Sequence, residues 1–105
     1  MKTIAVDFDG TLCYRKWPEL GQPNQALIEY LQEWKRNGNK LILWTCRVGE
    51  ALSKAVEWCW EQNLEFDAVN DNLPEIIEFY GHNSRKISCD YYIDDRMLLP
   101  ENVKA

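Results

Sequence analysis

Short apolar segments alternate along this chain with amphipathic segments of helical period, and this alternation restricts the fold more than any other feature. Apolar runs that lack the polar alternation of a half-exposed strand are typical of strands covered on both faces. The predicted order is strand, helix, strand, helix, strand, helix, strand. The strands cover residues 3–8, 41–44, 66–70 and 91–93, and the helices cover residues 24–37, 49–63 and 74–81.

This order predicts an α/β fold in which a short parallel sheet carries helices on both faces. We therefore expect a three-layer α/β/α, Rossmann-like architecture. Residues 11–23 contain Pro18, Gly21 and Pro23 and show no sustained period, so they are predicted to form a loop or a small hairpin. Since no repeat or internal linker interrupts the pattern, residues 1–105 are expected to form a single domain with a loosely packed tail from residue 97 onward.

Polar residues follow each of the four predicted strands. Because parallel sheets bind ligands beyond the carboxyl ends of their strands, these residues are expected to meet in one crevice. They are Asp7 and Asp9 after the first strand, Thr45 and Arg47 after the second, Asn70 and Asp71 after the third, and Asp94 and Asp95 after the fourth. Asn70 and Asp71 are better interpreted as turn residues than as ligands.

Four carboxylates at neighbouring strand ends repel each other unless a cation lies between them, and an all-oxygen ligand set favours Mg²⁺ over zinc. Mg²⁺ is commonly bound together with substrate phosphates. Thr45 offers a hydroxyl donor, and Lys86 offers a fixed positive charge for phosphate oxygens. A carboxylate can also act as the nucleophile by forming an aspartyl phosphate.

The sequence Asp7-Phe8-Asp9-Gly10-Thr11-Leu12, directly after an apolar strand, resembles the first motif of the haloacid dehalogenase superfamily of phosphohydrolases. Thr45 at the end of the second strand is similar to the second motif of that superfamily. Lys86 is the best candidate for the third motif, and Asp94-Asp95 resembles the acidic fourth motif. The four motifs occur in the right order and span nearly the whole chain.

The resemblance implies a Mg²⁺-dependent phosphatase with this fold, in which Asp7 is the nucleophile and Asp9 is first the general acid and then the general base. Thr45 and Lys86 would bind the phosphate. Gly10 and Arg47 are further candidates for substrate contact, although Arg47 is equally well explained as a surface charge, and Arg85 competes with Lys86 as the phosphate cation. The implied Mg²⁺ ligands are Asp7, the carbonyl of Asp9, and Asp94, with Asp95 acting through water or from the second coordination sphere.

Most members of this superfamily carry a cap domain that closes over the substrate. Only residues 11–23 separate the first strand from the first helix here, and the later connections are equally short, so the chain resembles a member without a cap. The segment Tyr14-Arg15-Lys16-Trp17 is then the expected local lid.

Charge and cysteine content restrict the partners and the compartment. With 12 Lys and Arg against 17 Asp and Glu, the formal charge is -5, which argues against generic binding of nucleic acid. No apolar stretch reaches the length of a membrane span or of a signal peptide. The four cysteines form no C-x-x-C pair, so we expect reduced thiols rather than a zinc site, and a cytoplasmic location.

Two other functions fit parts of the pattern. A receiver-type signalling domain also uses a phosphorylated Asp in a doubly wound sheet, but it lacks an acid two residues beyond the acceptor, as Asp9 is here. A descendant that binds phosphate without turnover is the other alternative. No Cys is followed six residues later by Arg, and no P-loop sequence occurs, so cysteine-dependent phosphatases and P-loop kinases are excluded.

Five tryptophans occur in the chain. Trp34 and Trp44 are predicted to pack in the core. Trp58 and Trp60 flank Cys59 on the second helix, so at least one of them is expected to be exposed. An exposed tryptophan suggests a subunit contact, and a second copy of the chain is a candidate for covering the crevice.

Overall fold

The computed structural model describes residues 1–14 and 18–103. A four-stranded parallel sheet forms its centre, with strand order β5-β4-β1-β6. The strands of this sheet are β1 (Thr3–Val6), β4 (Lys40–Leu43), β5 (Ala68–Val69) and β6 (Tyr91–Ile93). The helices are α1 (Gln25–Arg36), α2 (Gly49–Glu61) and α3 (Pro74–Tyr80), and a 3₁₀ turn (Pro100–Asn102) follows β6. The predicted α/β fold with a parallel sheet is confirmed.

Alternate residues of the two central strands pack on opposite faces of the sheet. Ile4 and Val6 of β1 belong to a core cluster that contains buried residues of α1 and α2. Ala5 of β1 and Ile42 of β4 belong to a second cluster, which Ile76 of α3 packs against. Because successive side chains of a strand point to opposite faces, α1 and α2 cover one face and α3 covers the other.

The register of the sheet brings its strand ends to one edge. Val6 lies beside Leu43 on one side and beside Ile93 on the other, and Leu43 lies beside Val69. Each of the four residues is the last of its strand. The polar segments that follow the strands therefore leave the sheet at the same level.

Helix boundaries follow the cap chemistry of the sequence. The side chain of Asn24 accepts a hydrogen bond from the N–H of Leu27 and caps α1. α3 begins with Pro74 and ends at Gly81, whose φ of 78° is left-handed and therefore favours glycine. Both boundaries agree with the prediction.

The segment between β1 and α1 is a small antiparallel hairpin of β2 (Cys13–Tyr14) and β3 (Gln22–Pro23). Of the predicted lid, Tyr14 is exposed, and Arg15, Lys16 and Trp17 lie outside the described residues. In the described part of this segment, the hairpin is the only regular secondary structure.

The two tryptophans of α2 separate as expected. The ring of Trp58 is buried and lies edge-on to Phe8, with 5.4 Å between the ring centroids. Trp60 is 63% exposed. Its predicted contact with a second subunit stays a prediction.

All four cysteines are free. The segment after β6 exposes its apolar side chains Met97, Leu98, Leu99 and Val103. Each helix in residues 1–14 and 18–103 is too short or too polar to cross a membrane.

Asp67 connects α1 to the edge of the sheet. Its carboxylate accepts from the Lys35 ammonium at 2.9 Å and from the Leu41 N–H at 2.8 Å. Burial opposes ionisation of Asp67, but these hydrogen bonds and the charges of Lys35 and Lys40 outweigh it, so the pKa lies below the ordinary value of 3.8.

We expect Asp67→Asn to destabilise the protein by about 1 kcal/mol at neutral pH, because the exchange removes the ion pair of a partly exposed group. A lowered native pKa stabilises the fold above pH 3.8 and ceases to do so as the pH falls through the native value. Urea unfolding of both proteins at neutral and acidic pH measures the effect. Glu33→Gln, which breaks the exposed pair with Arg36, is the control and should change little. An effect of Asp67→Asn that persisted in acid would contradict the assignment.

Candidate active site

Asp7 lies at the carboxyl end of β1, where the chain is still paired with its neighbours. Its N–H donates to the carbonyl of Ile93 at 2.9 Å, and its carboxylate accepts from the Thr11 hydroxyl at 3.4 Å. The carbonyl of the next residue, Phe8, then accepts from the N–H groups of Thr11, Leu12 and Cys13. This tight turn reverses the chain directly after Asp7 and keeps Asp9 beside the sheet edge.

Three carboxylates meet at this edge. Asp7 contributes one, and Asp94 and Asp95 at the end of β6 contribute the others, with one oxygen of each lying within 4.8 Å of the other two. The pKa of Asp7 is raised from 3.8 to about 6, mainly by burial and also by the charges of Asp94 and Asp95, against the opposing hydrogen bonds from the Phe8 backbone and the Thr11 hydroxyl. Three of the four predicted carboxylates therefore meet at the strand ends, whereas the Asp9 carboxylate accepts from Arg47.

The donor set of this cluster fits Mg²⁺. Magnesium prefers hard oxygen ligands at about 2.1 Å, so ligands on opposite sides of the ion are about 4.2 Å apart. The three carboxylate oxygens lie within 4.8 Å of one another, a limit that admits this spacing. A divalent cation would also offset the repulsion that raises the pKa of Asp7. Asp7, Asp94 and Asp95 are thus the residues that would hold the ion, and the predicted contribution of the Asp9 carbonyl stays a prediction.

Gly10 makes room for one of these carboxylates. Its φ is 80°, and a Cβ at this position would lie 2.4 Å from Oδ2 of Asp95. The N–H of Gly10 donates to the carbonyl of Cys13 at 2.9 Å. In this structure Gly10 therefore shapes the carboxylate cluster, and its predicted contact with substrate stays a prediction.

Thr45 follows β4 and lies at the same sheet edge. Its N–H donates to the side-chain oxygen of Asn70 at 2.8 Å, and its hydroxyl accepts from the N–H of Arg47 at 3.2 Å. Asn70 adopts a positive φ of 52° at the end of β5. Asn70 thus positions the Thr45 backbone, which agrees with its interpretation as a structural residue.

The strand-end residues line one cavity of about 350 Å³. It brings together six of the predicted site residues, Arg47 among them, and it adds Cys46 and Arg96, which the sequence argument did not assign to the site. Arg96 directly follows the acidic pair, and its place at the strand exit is the signal that could have identified it. The lining residues are Asp7, Asp9, Thr45, Cys46, Arg47, Asp94, Asp95 and Arg96.

Arg47 is buried, with only 1% of its surface exposed. The alternative that Arg47 is a surface charge is therefore wrong. Its guanidinium donates to both carboxylate oxygens of Asp9, at 2.9 and 2.8 Å. The hydrogen bond with Asp9 raises the pKa of Arg47, so the side chain stays charged although burial opposes the charge.

Lys86 does not line the cavity in this structure. It is exposed, and its ammonium lies 5.9 Å from the centroid of the Tyr92 ring. The segment that carries it is held by Asn72, whose buried side chain donates to Asn83 and Ser84 and accepts from the N–H of Ser88. Phosphate binding by Lys86 stays a prediction.

Gly10→Ala should destabilise the fold by about 1 kcal/mol more than Gly38→Ala, because a Cβ at residue 10 must displace the Asp95 side chain in addition to straining the backbone. Gly38 is the matched control, since its φ is 82° and an added Cβ meets nothing within 4 Å. Thermal unfolding of the two variants gives the comparison. Equal losses of stability in the two variants would show that contact with Asp95 adds nothing to the cost at residue 10.

Asp7→Asn should stabilise the protein in EDTA near neutral pH, by about 1–2 kcal/mol after allowance for solvent screening. The native pKa of Asp7 is about 6 and lies above 3.8, so its contribution to stability is complete below pH 3.8 and is lost as the pH rises through 6. Thermal unfolding in EDTA measures the change. Asp71→Asn, outside the carboxylate cluster, is the control, and a loss of stability in Asp7→Asn would refute the electrostatic argument.

Comparison with known proteins gives one informative match. No protein-family model matches the chain, and no curated protein matches it. A solved structure of a conserved protein from Bacteroides thetaiotaomicron is 43% identical, with the match covering 92% of this chain and 78% of that one, at a TM-score of 0.81. At this identity and coverage, the chain belongs to the same family as the conserved Bacteroides protein.

Proposed function

We propose that the protein is a Mg²⁺-dependent phosphohydrolase that cleaves phosphate monoesters through an aspartyl phosphate on Asp7. The observation that carries the proposal is the cavity in which the half-buried Asp7 carboxylate lies beside Asp94, Asp95 and the Thr45 side chain. The resemblance of the four sequence motifs to haloacid dehalogenase phosphatases supports the same assignment.

In the first half-reaction, a carboxylate oxygen of Asp7 attacks the phosphorus atom of the ester. The bond from phosphorus to the ester oxygen breaks as the bond to Asp7 forms, and Asp9 donates a proton to the departing oxygen. An alcohol leaves, and the phosphoryl group remains on Asp7. Mg²⁺, when bound, neutralises negative charge on the phosphoryl oxygens and on the carboxylates around them.

In the second half-reaction, water attacks the phosphorus atom of the aspartyl phosphate. Asp9, now a carboxylate, accepts a proton from this water, and inorganic phosphate and free Asp7 are released. Both steps require Asp9 at the same cavity as Asp7, and both residues line it. A nucleophile with a pKa of about 6 is mostly ionised at neutral pH.

Substrate binding in this proposal uses the hydroxyl of Thr45 and positive charge. The Thr45 hydroxyl is a donor for a phosphoryl oxygen. Arg96 lines the cavity and can bind phosphate oxygens in a bidentate manner. Lys86 remains the second proposed cation, and its ammonium lies 5.9 Å from the centroid of the Tyr92 ring in this structure. A phosphorylated substrate is the proposed partner, and the four free cysteines accord with a proposed cytoplasmic location.

The test is turnover of p-nitrophenyl phosphate and of a panel of phosphorylated metabolites, nucleotides and oligonucleotides, with Mg²⁺ and with EDTA. We expect Mg²⁺-dependent release of phosphate and a loss of at least about 10³-fold in Asp7→Asn, because the nucleophile is removed. With p-nitrophenyl phosphate, whose leaving group departs without full protonation, Asp9→Asn should accumulate phosphate on Asp7, detected by intact-protein mass spectrometry.

Asp71→Asn is the control for the loss of one aspartate charge, because Asp71 does not line the cavity. It should retain the wild-type rate. Activity in Asp7→Asn would refute the assignment of the nucleophile. A stable phosphoprotein without turnover would favour a receiver-type domain. Phosphate binding with neither turnover nor a phosphoprotein would favour a descendant that binds phosphate without turnover.

A further inference from the structure

Arg47 is a charged side chain with almost no exposure to water, and it is the largest fully buried side chain among the described residues. A buried charge is costly unless it is paired and its donors are satisfied. Arg47 has a carboxylate partner and further acceptors for its N–H groups, so this requirement is met.

Asp9 provides the main contact. Nε of Arg47 donates to Oδ2 of Asp9 at 2.9 Å, and Nη2 donates to Oδ1 at 2.8 Å. This bidentate arrangement restrains the rotation of the carboxyl group, because both oxygens are bonded to one rigid plane. Each oxygen retains further lone-pair capacity for a proton or a water molecule.

The guanidinium is itself held by the surrounding backbone and by an aromatic ring. Nη1 donates to the carbonyl of Ala51 at 3.3 Å, and Nη2 also donates to the carbonyl of Glu19 at 3.3 Å. The central carbon lies 5.0 Å from the centroid of the Phe8 ring. These contacts come from α2, from the segment before β3 and from the turn after β1, so the position of Arg47 does not depend on Asp9 alone.

We propose that Arg47 is a positioning residue that holds the Asp9 carboxyl group in the orientation required for proton transfer. This inference rests on the proposed function, since it assigns Asp9 the transfer of a proton to the leaving group and from water. Arg47 itself does not need to contact the substrate. A lysine would supply the charge but not the planar pair of donors, so Arg47→Lys should leave Asp9 less well oriented.

The test compares two substrates whose leaving groups differ in how much they depend on protonation. The value of kcat/KM reports the steps up to departure of the leaving group, and an alkyl phosphate depends on the general acid far more than p-nitrophenyl phosphate does. We expect Arg47→Lys to lower kcat/KM for an alkyl phosphate by about 10²-fold. For p-nitrophenyl phosphate we expect a loss below about 5-fold, because that leaving group departs without full protonation.

A double-mutant cycle asks whether Arg47 acts through Asp9. In the Asp9→Asn background, Arg47→Lys should lower kcat/KM for the alkyl phosphate by no more than about 2-fold, because the group that it orients is already absent. Arg36→Lys is the matched control, since Arg36 also makes two hydrogen bonds to one carboxylate, that of Glu33, but lies outside the cavity. It should change neither kcat nor KM.

Equal losses for both leaving groups, or losses that multiply in the double variant, would overturn the positioning role while leaving the phosphatase assignment intact. A wild-type protein without turnover and without an aspartyl phosphate would overturn both proposals. Circular dichroism checks that each variant folds, and Arg47→Gln serves as a second variant.

If neither Arg47 variant folds, the test uses the NMR resonance of the Arg47 Nε–H group in isotope-labelled wild-type protein. The quantity measured is the rate at which this hydrogen exchanges with solvent. Slow solvent exchange that becomes fast in Asp9→Asn but not in Asp71→Asn supports the proposal, and fast exchange in the wild type overturns it.

Discussion

The repulsion among carboxylates at one edge of the parallel sheet is the constraint on which the rest of the site depends. Asp7, Asp94 and Asp95 are brought together because β1 and β6 are neighbours in register and end at the same level. Burial and the two neighbouring charges raise the pKa of Asp7 to about 6, so ionisation of this carboxyl group costs free energy. A divalent cation held by the three carboxylates would offset this cost.

Asp9 lies outside this cluster and is paired with Arg47 instead. The bidentate contact with buried Arg47 keeps the Asp9 carboxylate in the cavity but outside the group formed by the other three. Two carboxylates two residues apart thus have different environments, one beside like charges and one beside a cation.

Much of the fold could be predicted from the chain because local patterns and packing agree. The two central apolar runs became the buried strands β1 and β4, whereas the edge strands β5 and β6 are only partly buried. Asn24, Pro74 and Gly81 mark helix boundaries by their cap chemistry. The pattern was less informative where neighbouring apolar residues compete for one face. By spacing alone, Leu27, Tyr30, Leu31 and Trp34 share one face of α1. Tyr30 is nevertheless 56% exposed, whereas Ile28 is buried.

The sequence by itself determined the order of the elements, the acidic residues at the strand ends and the resemblance of the motifs, because each depends on residue type and spacing along the chain. Only the tertiary structure decided which of these side chains meet. Lys86 is close to β6 in the chain but lies over Tyr92, and Arg96 lines the cavity. Arg47 could be interpreted as a surface charge until its pairing with Asp9, 38 residues away, was seen. Contacts of this kind depend on the register of the sheet and the path of the loops, which a linear pattern does not contain.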